Sequence, residues 1–167
     1  MKQLIINADD FGLHPLINKG IIKGHTRGIL TSTSIMPSAP YFDEAVLLAK
    51  ANPDLGIGIH LTLVGGVRPV LQSGIDSLLT NDGVFPEDYT VFAKKWYTGS
   101  IRKSELEREL RAQIEKVLTA GIKPTHIDSH QHMHVLPGIA GLVIRLCGEY
   151  GITKIRMPGE NIFWSGG

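Results

Sequence analysis

Residues 55–63 read LGIGIHLTL, a run in which isoleucine and leucine alternate with glycine, threonine and one histidine, His60. So short an apolar run predicts a buried strand. The segment before it, about 41–51, has helical period, and the same succession recurs along the chain. Strands are expected at 3–8 (QLIINA), 29–36 (ILTSTSIM), 55–63, 125–132 (THIDSHQH) and 153–157 (TKIRM), and helices at about 16–27, 41–51, 103–120 and 137–150. Short runs rich in Ile and Val that alternate with helices make βα units and a largely parallel sheet. The expected fold class is therefore α/β, with about five βα units.

Of the 167 residues 43% are hydrophobic and the mean hydropathy is +0.05, which suits one globular domain, residues 1–167, with a sizeable core. Lysine and arginine number 17 against 16 acids, for a net charge of +1, and no block of like charge could track a nucleic-acid backbone. A nucleic-acid partner is not expected. The single cysteine, Cys147, excludes an intrachain disulfide and lies in a helical stretch, where it reads as an inert buried thiol. The N-terminal MKQLIINADD turns acidic too soon for a signal peptide, and no apolar run reaches the roughly 18 residues of a membrane span. A cytoplasmic location is expected, with no membrane span.

In the third helix, Ser104 reads as the N-cap with Glu107 three residues on, and Leu106, Leu110, Ile114, Val117 and Leu118 form the buried stripe. Its charged residues read as a solvated face. Residues 64–102 carry turn signals and aromatics without firm periodicity, as expected of an insertion or cover over the domain. Phe92, Trp96 and Tyr97 in it would either stack on a ring-shaped ligand or form its small core.

Ionisable residues gather where the expected strands end: NADDFG after the first, IHL in the third, HIDSHQH in and past the fourth. Strand C-termini share one edge in parallel α/β folds, so these three clusters can meet. Adjacent side chains diverge, so of Asp9 and Asp10 one can bind a metal while the other acts as a base; the alternative is an Asx turn that caps the helix at 16. His60 alone would read as a hydrogen-bonded core residue, but beside two such clusters it fits a set of two histidines and one carboxylate. If 125–132 is extended, His126, Asp128, His130 and His132 project to one face. Same-face positions stand about 6.6 Å apart, so a single ion reaches only one or two of them, and the spacing leaves open which. The hydroxyls of TSTS (31–34) could face a ligand, but Thr and Ser are also ordinary strand residues and the structural reading is favoured.

The stretches NADDFGL, GHTRGILTSTSIM, GIGIHLTL and KPTHIDSHQHMHVLPGI, from residue 2 to about 157, resemble the YdjC-like carbohydrate deacetylases, which include the chitooligosaccharide deacetylases. LAKANPDLGIGIHLTLVGGVRPVL and LRAQIEKVLTAGIKPTHIDSHQHMH look closest to the branch associated with hopanoid biosynthesis. The resemblance implies a (β/α) barrel-like, TIM-like or NodB-like fold, here incomplete because a full barrel takes about 250 residues. It implies one divalent metal ion (Mg, Zn, Mn or Co) held by Asp10, His60 and His130, with Asp9 as general base. The substrate it implies is a small carbohydrate carrying an N-acetyl group.

His126, Asp128 and His132 are expected to support the metal or contact substrate, and His134 to be structural. The ligand softness of two imidazoles and a carboxylate favours Zn, Mn, Co or Fe over Mg. The family's general acid is a histidine near a late His-Pro pair, and the chain ends at GENIFWSGG without one. That departure leaves two readings open, a deacetylase and a catalytically silent metal- or sugar-binding remnant. A two-metal hydrolase is disfavoured, since no second full ligand set is apparent. The open sheet edge predicts a homo-oligomer.

Overall fold

The computed structural model describes residues 4–159. The elements run β1 (Asn7–Phe11), α1 (Pro15–Arg27), β2 (Ser32–Ile35), α2 (Phe42–Ala51), β3 (Gly56–Leu61), α3 (Tyr89–Tyr97), α4 (Lys103–Thr119), β4 (Ile127–Ser129) and α5 (Ile139–Glu149). Short 3-10 turns cover Asp76–Leu78 and His130–Val135.

The four strands form one parallel sheet in the order β1-β2-β3-β4, and a single bridge from Ile127 to Ile155 extends it by one position. Spatial order that follows chain order, with every crossover made through a helix, winds the sheet one way only. The result is an arc of a barrel wall, an α/β fold whose two faces differ sharply. Ile35, Ile57, Ile59, Leu61 and Ile127 face the helices and are buried against Ile21, Val46, Leu106, Leu110, Ile114 and Val143. The register sets Asn7, Ser32 and Gly56 in one row, Ser34 and Gly58 in another, and His60 with Asp128 in a third, so the opposite face is small and polar. A cavity of about 570 Å³ lies against this face, with Asn7, Ser32, Gly56, His126 and Arg156 in its lining.

Several expected boundaries move. The first strand begins at Asn7, not in the apolar run 3–8, of which residue 3 lies outside the described residues. The Ile6 carbonyl accepts from the amides of Thr31 and Ser32, and the ladder then takes in the polar residues because their side chains satisfy one another. A bulge between Ala8 and Phe11 accommodates Asp10. The fourth strand stops at Ser129 because Gln131 and His132 adopt left-handed backbone angles, φ 50° and 56°, that no strand tolerates. Residues 153–157 make only the Ile155 bridge.

Helix α4 starts at Lys103 with Arg102 at its N-cap and no side-chain cap, so Ser104 is inside the helix. Its apolar stripe holds, with Leu106, Leu110, Ile114 and Val117 buried and Leu118 partly so. Its acids divide. Glu107 is in a surface network with Arg111 and Arg145, whereas Glu105 and Glu109 are buried, contrary to the expectation of a solvated face. With Gln113 these two make a polar ladder, one rung per turn, that holds the segment after β3. Glu105 accepts from Ser77, Glu109 from the amides of Val70 and Leu71, and Gln113 pairs with both backbone groups of Thr62. A long connection has backbone donors with no ladder of their own, and buried acceptors on the helix supply the partners.

The segment 64–102 contains α3, which Asp88 caps by accepting from Thr90 N. Phe92 is buried in the common core and the Trp96 indole donates to the Pro137 carbonyl at 2.9 Å, while Tyr97 is exposed. Cys147 is buried, as expected of an inert thiol, and burial pushes its pKa up to about 11. No helix among the described residues is long and apolar enough to cross a membrane.

Candidate functional site

The C-terminal ends of β1, β3 and β4 bring Asp10, His60 and His130 together. One ligand atom from each lies within 4.8 Å of the others. The Asx-turn alternative for the acid pair does not apply to the helix cap: His14 caps α1 by accepting from Leu16 N at 3.1 Å, and Asn18 accepts from Gly12 N at 2.7 Å. Both carboxylates are thereby left to the site. Asp10 is in the left-handed region at φ 65°, and Gln131 and His132 are the other non-glycine residues there among the described residues. Such backbone costs on the order of 1–3 kcal/mol per residue and persists only where the surroundings over-determine it. All three positions flank the same carboxylate–imidazole cluster.

The Asp10 carboxylate receives His130 Nδ1 at 2.9 Å and lies 3.3 Å from His60 Nε2. Hydrogen bonds from His130 first, then His60, hold its pKa well below the usual carboxylate range. His60 is 2% exposed and its Nδ1 meets Asp128 Oδ1 at 2.8 Å. Burial opposes charge on this ring, but the bonds to Asp10 and Asp128 win and raise its pKa to about 9. Since Asp128 can only accept, Nδ1 carries a hydrogen, and Nε2 is the atom that takes up a proton or offers a lone pair to a cation. A cation here would displace that proton.

Asp128 is fully buried and saturated: Ser34 Oγ donates to Oδ2 at 2.8 Å and Arg156 Nη1 lies 3.3 Å from the same oxygen. His126 Nε2 lies 3.2 Å from Ser34 Oγ, and burial lowers the pKa of this ring. A Cβ on Gly58 would collide with the His126 ring, which explains a glycine at the centre of β3. Asp9 accepts from Asn7 Nδ2 at 2.8 Å and from Arg156 Nη1 at 2.8 and 2.9 Å. Ser34 reads as an ordinary strand residue in the sequence, and Asn7 and Arg156 escaped the sequence reading. The alternation of the strands could have found the first two, since Ser34 shares a face with Gly58, and Asn7 with Asp9.

The remaining histidines of HIDSHQHMH do not follow strand alternation, because the strand has ended. His132 sits edge-on to His134 at 6.4 Å and belongs to neither ligand group. His134 is buried and locked: Nδ1 meets Ser129 Oγ at 2.6 Å and Nε2 meets the Arg156 carbonyl at 2.8 Å. A carbonyl only accepts, so Nε2 carries the hydrogen and Ser129 donates to Nδ1.

A second group, Asp9, His60 and Asp128, also satisfies metal-ligand spacing. It fits a cation poorly. The Arg156 guanidinium already neutralises both carboxylates, and His60 Nδ1 is committed to Asp128. Asp10, His60 and His130 have no such cation among them, and two nitrogens with one oxygen suit a borderline divalent ion.

The chain is similar to curated proteins along almost its whole length. It is 42% identical over 158 residues to a protein from Brevibacillus brevis named carbohydrate deacetylase, covering 93% of this chain and 59% of that one. A protein of the same name from Listeria monocytogenes serotype 4a is 42% identical over 154 residues, covering 92% and 60%. The chain thus spans about 60% of the length of these relatives. A crystal structure from Enterococcus faecalis V583, of a protein provisionally assigned to cellobiose-phosphate cleavage, superposes with a TM-score of 0.84 at 36% identity, covering 95% of this chain and 60% of that one. Residues 3–167 match the family described as YdjC-like protein, and this chain belongs to that family.

Proposed function

We propose that this chain carries the metal-binding part of a carbohydrate N-deacetylase, an enzyme that hydrolyses the acetamido group of an amino sugar. The observation that supports it best is the convergence of Asp10, His60 and His130 from three strand ends, within a family whose curated relatives are named carbohydrate deacetylase. These three residues would hold a single divalent ion. When bound, such an ion polarises an amide carbonyl and lowers the pKa of water.

The chain's own residues supply the rest. Asp9, with its carboxylate 34% exposed at the mouth of the cluster, accepts the proton of the attacking water. Asp128 orients His60 from behind, and Ser34 and His126 brace Asp128. His132, on the turn that carries His130, is a substrate-side contact. The water oxygen adds to the acetyl carbon, the C–N bond breaks as the proton taken up by Asp9 passes to the departing nitrogen, and acetate and a free amine leave.

Elemental analysis after incubation with Zn, Mn or Co, followed by acetate release from N-acetylated sugars, tests this reading. Stoichiometric metal with acetate release supports it. Metal without acetate release favours the silent-remnant reading, and no bound metal overturns the deacetylase reading and leaves the remnant. A homo-oligomer that covers the β1 edge, where Leu4 and Ile5 are exposed, is part of the proposal, and light scattering tests it.

A further inference from the structure

Arg156 lies on a segment that is barely part of the sheet, yet its guanidinium is the main partner of Asp9. Two hydrogen bonds fix its backbone. Its amide donates to the Ile127 carbonyl at 2.9 Å, and its own carbonyl accepts from His134 Nε2 at 2.8 Å. His134 is itself fixed by Ser129, which accepts from the His134 amide at 2.9 Å and meets Nδ1 at 2.6 Å. A continuous line of contacts therefore runs from the end of β4 through His134 and Arg156 to Asp9. His134 touches none of the Asp10, His60 and His130 donors, so its place in the HQHMH turn is not explained by a metal.

We propose that His134 is a positioning residue for Asp9: its N–H holds the Arg156 main chain, and the Arg156 guanidinium in turn holds the Asp9 carboxylate. The catalytic part of this inference rests on Asp9 being the proton acceptor; the mechanical part does not. Asp9 and Arg156 are each about a third exposed, at 34% and 39%, so they are open to solvent, and their geometry depends on what anchors the segment behind them. An exposed pair is ordinarily worth little because its side chains must be ordered at an entropic cost. Fixing the main chain beforehand reduces that cost.

The test is carbodiimide labelling of Asp9 read by peptide mass spectrometry, on the parent, His134→Ala, Arg156→Ala and the double variant, with the exposed Asp54 and Asp82 as internal controls. Each single variant is expected to raise Asp9 labelling severalfold, leave Asp54 and Asp82 unchanged, and keep the parent's zinc content. The double variant should match Arg156→Ala, because His134 acts only through Arg156. His134→Phe keeps the ring volume and removes the N–H, and serves if the alanine variant does not fold. Arg156→Lys should restore part of the protection.

Asp9 labelling in either His134 variant equal to the parent's would overturn the proposal, and so would additive effects in the double variant. On an active parent, acetate release from N-acetylglucosamine should lose roughly tenfold or more in kcat at nearly constant KM, as for a misplaced proton acceptor. A parent that releases no acetate removes the catalytic reading of Asp9, and the labelling still decides the coupling.

Discussion

Asp10 and His130 are 120 positions apart in the chain, and their side chains meet at 2.9 Å across the ends of β1 and β4. Both sit on strained turns: Asp10 is itself left-handed, and His130 precedes two left-handed residues. Strain on both sides of one contact marks where the fold gives up backbone comfort to aim side chains.

Removing either side chain should therefore abolish metal uptake and not merely weaken the fold. Asp10→Ala, His60→Ala and His130→Ala are each expected to bind no stoichiometric Zn after dialysis, while His132→Ala retains it. Elemental analysis of the four variants beside the parent decides this. Full metal content in Asp10→Ala would refute the ligand set.

Gly58→Ala should destabilise the protein by about 1–3 kcal/mol, the usual range for a group forced into filled space. The added methyl meets the His126 ring, which has little room to retreat because it is bound to Ser34 and Thr125. Urea denaturation gives the difference. A change under about 0.5 kcal/mol would mean that the ring moves freely, as at an ordinary surface site.

Glu109→Ala leaves the amides of Val70 and Leu71 without their acceptor inside the fold. The expected loss is about 1–3 kcal/mol, the cost of an unsatisfied buried donor. Because the rung ties down the segment after β3, limited proteolysis should cut within 64–102 sooner than in the parent. Unaltered cleavage would show that Glu105 and Gln113 suffice.

His134 gives a pH dependence with a definite sign. Burial, the largest influence, lowers its pKa below the ordinary 6.5, so the folded ring stays neutral where the unfolded one takes up a proton. Above 6.5 both states are neutral and stability is at its full value; as pH falls below 6.5 toward the folded pKa, stability is lost. Melting temperatures of the parent and His134→Phe between pH 7.5 and 5.5 isolate this contribution. The parent should lose more on acidification, and parallel curves would contradict the assignment.

Cys147 should be unreactive toward a thiol reagent at pH 8 in the native protein and react at once in denaturant, since burial keeps the thiol protonated up to about 11. Fast native labelling would mean that α5 opens readily.

Much of this protein was legible in its sequence. The period of the apolar residues marked four of the five helices and the βα succession, because burial of one face imposes that period directly on the residue order. Chemistry-bearing residues at the strand ends pointed to the edge of the sheet where Asp10, His60 and His130 converge, as parallel strands present one edge in common. Helix α3 was missed, although Asp88 at its cap and the Phe92–Trp96 spacing were available signals, because its short stripe is interrupted by lysines.

What only the tertiary structure decided is which polar side chains meet. Strand alternation placed His126, Asp128, His130 and His132 on one face; the left-handed turn at Gln131 and His132 ends that alternation after Ser129, and no local pattern announces such a turn in non-glycine residues. The helical acids read as solvated because charge usually is, yet the unpaired amides of a distant loop bury Glu105 and Glu109. Arg156 reaches Asp9 across 147 residues of chain. The residue order by itself determined periodicity, and with it the elements and the edge where chemistry gathers. Contacts between side chains remote in the chain depend on sheet register and on satisfying buried donors, and these exist only once the chain has folded.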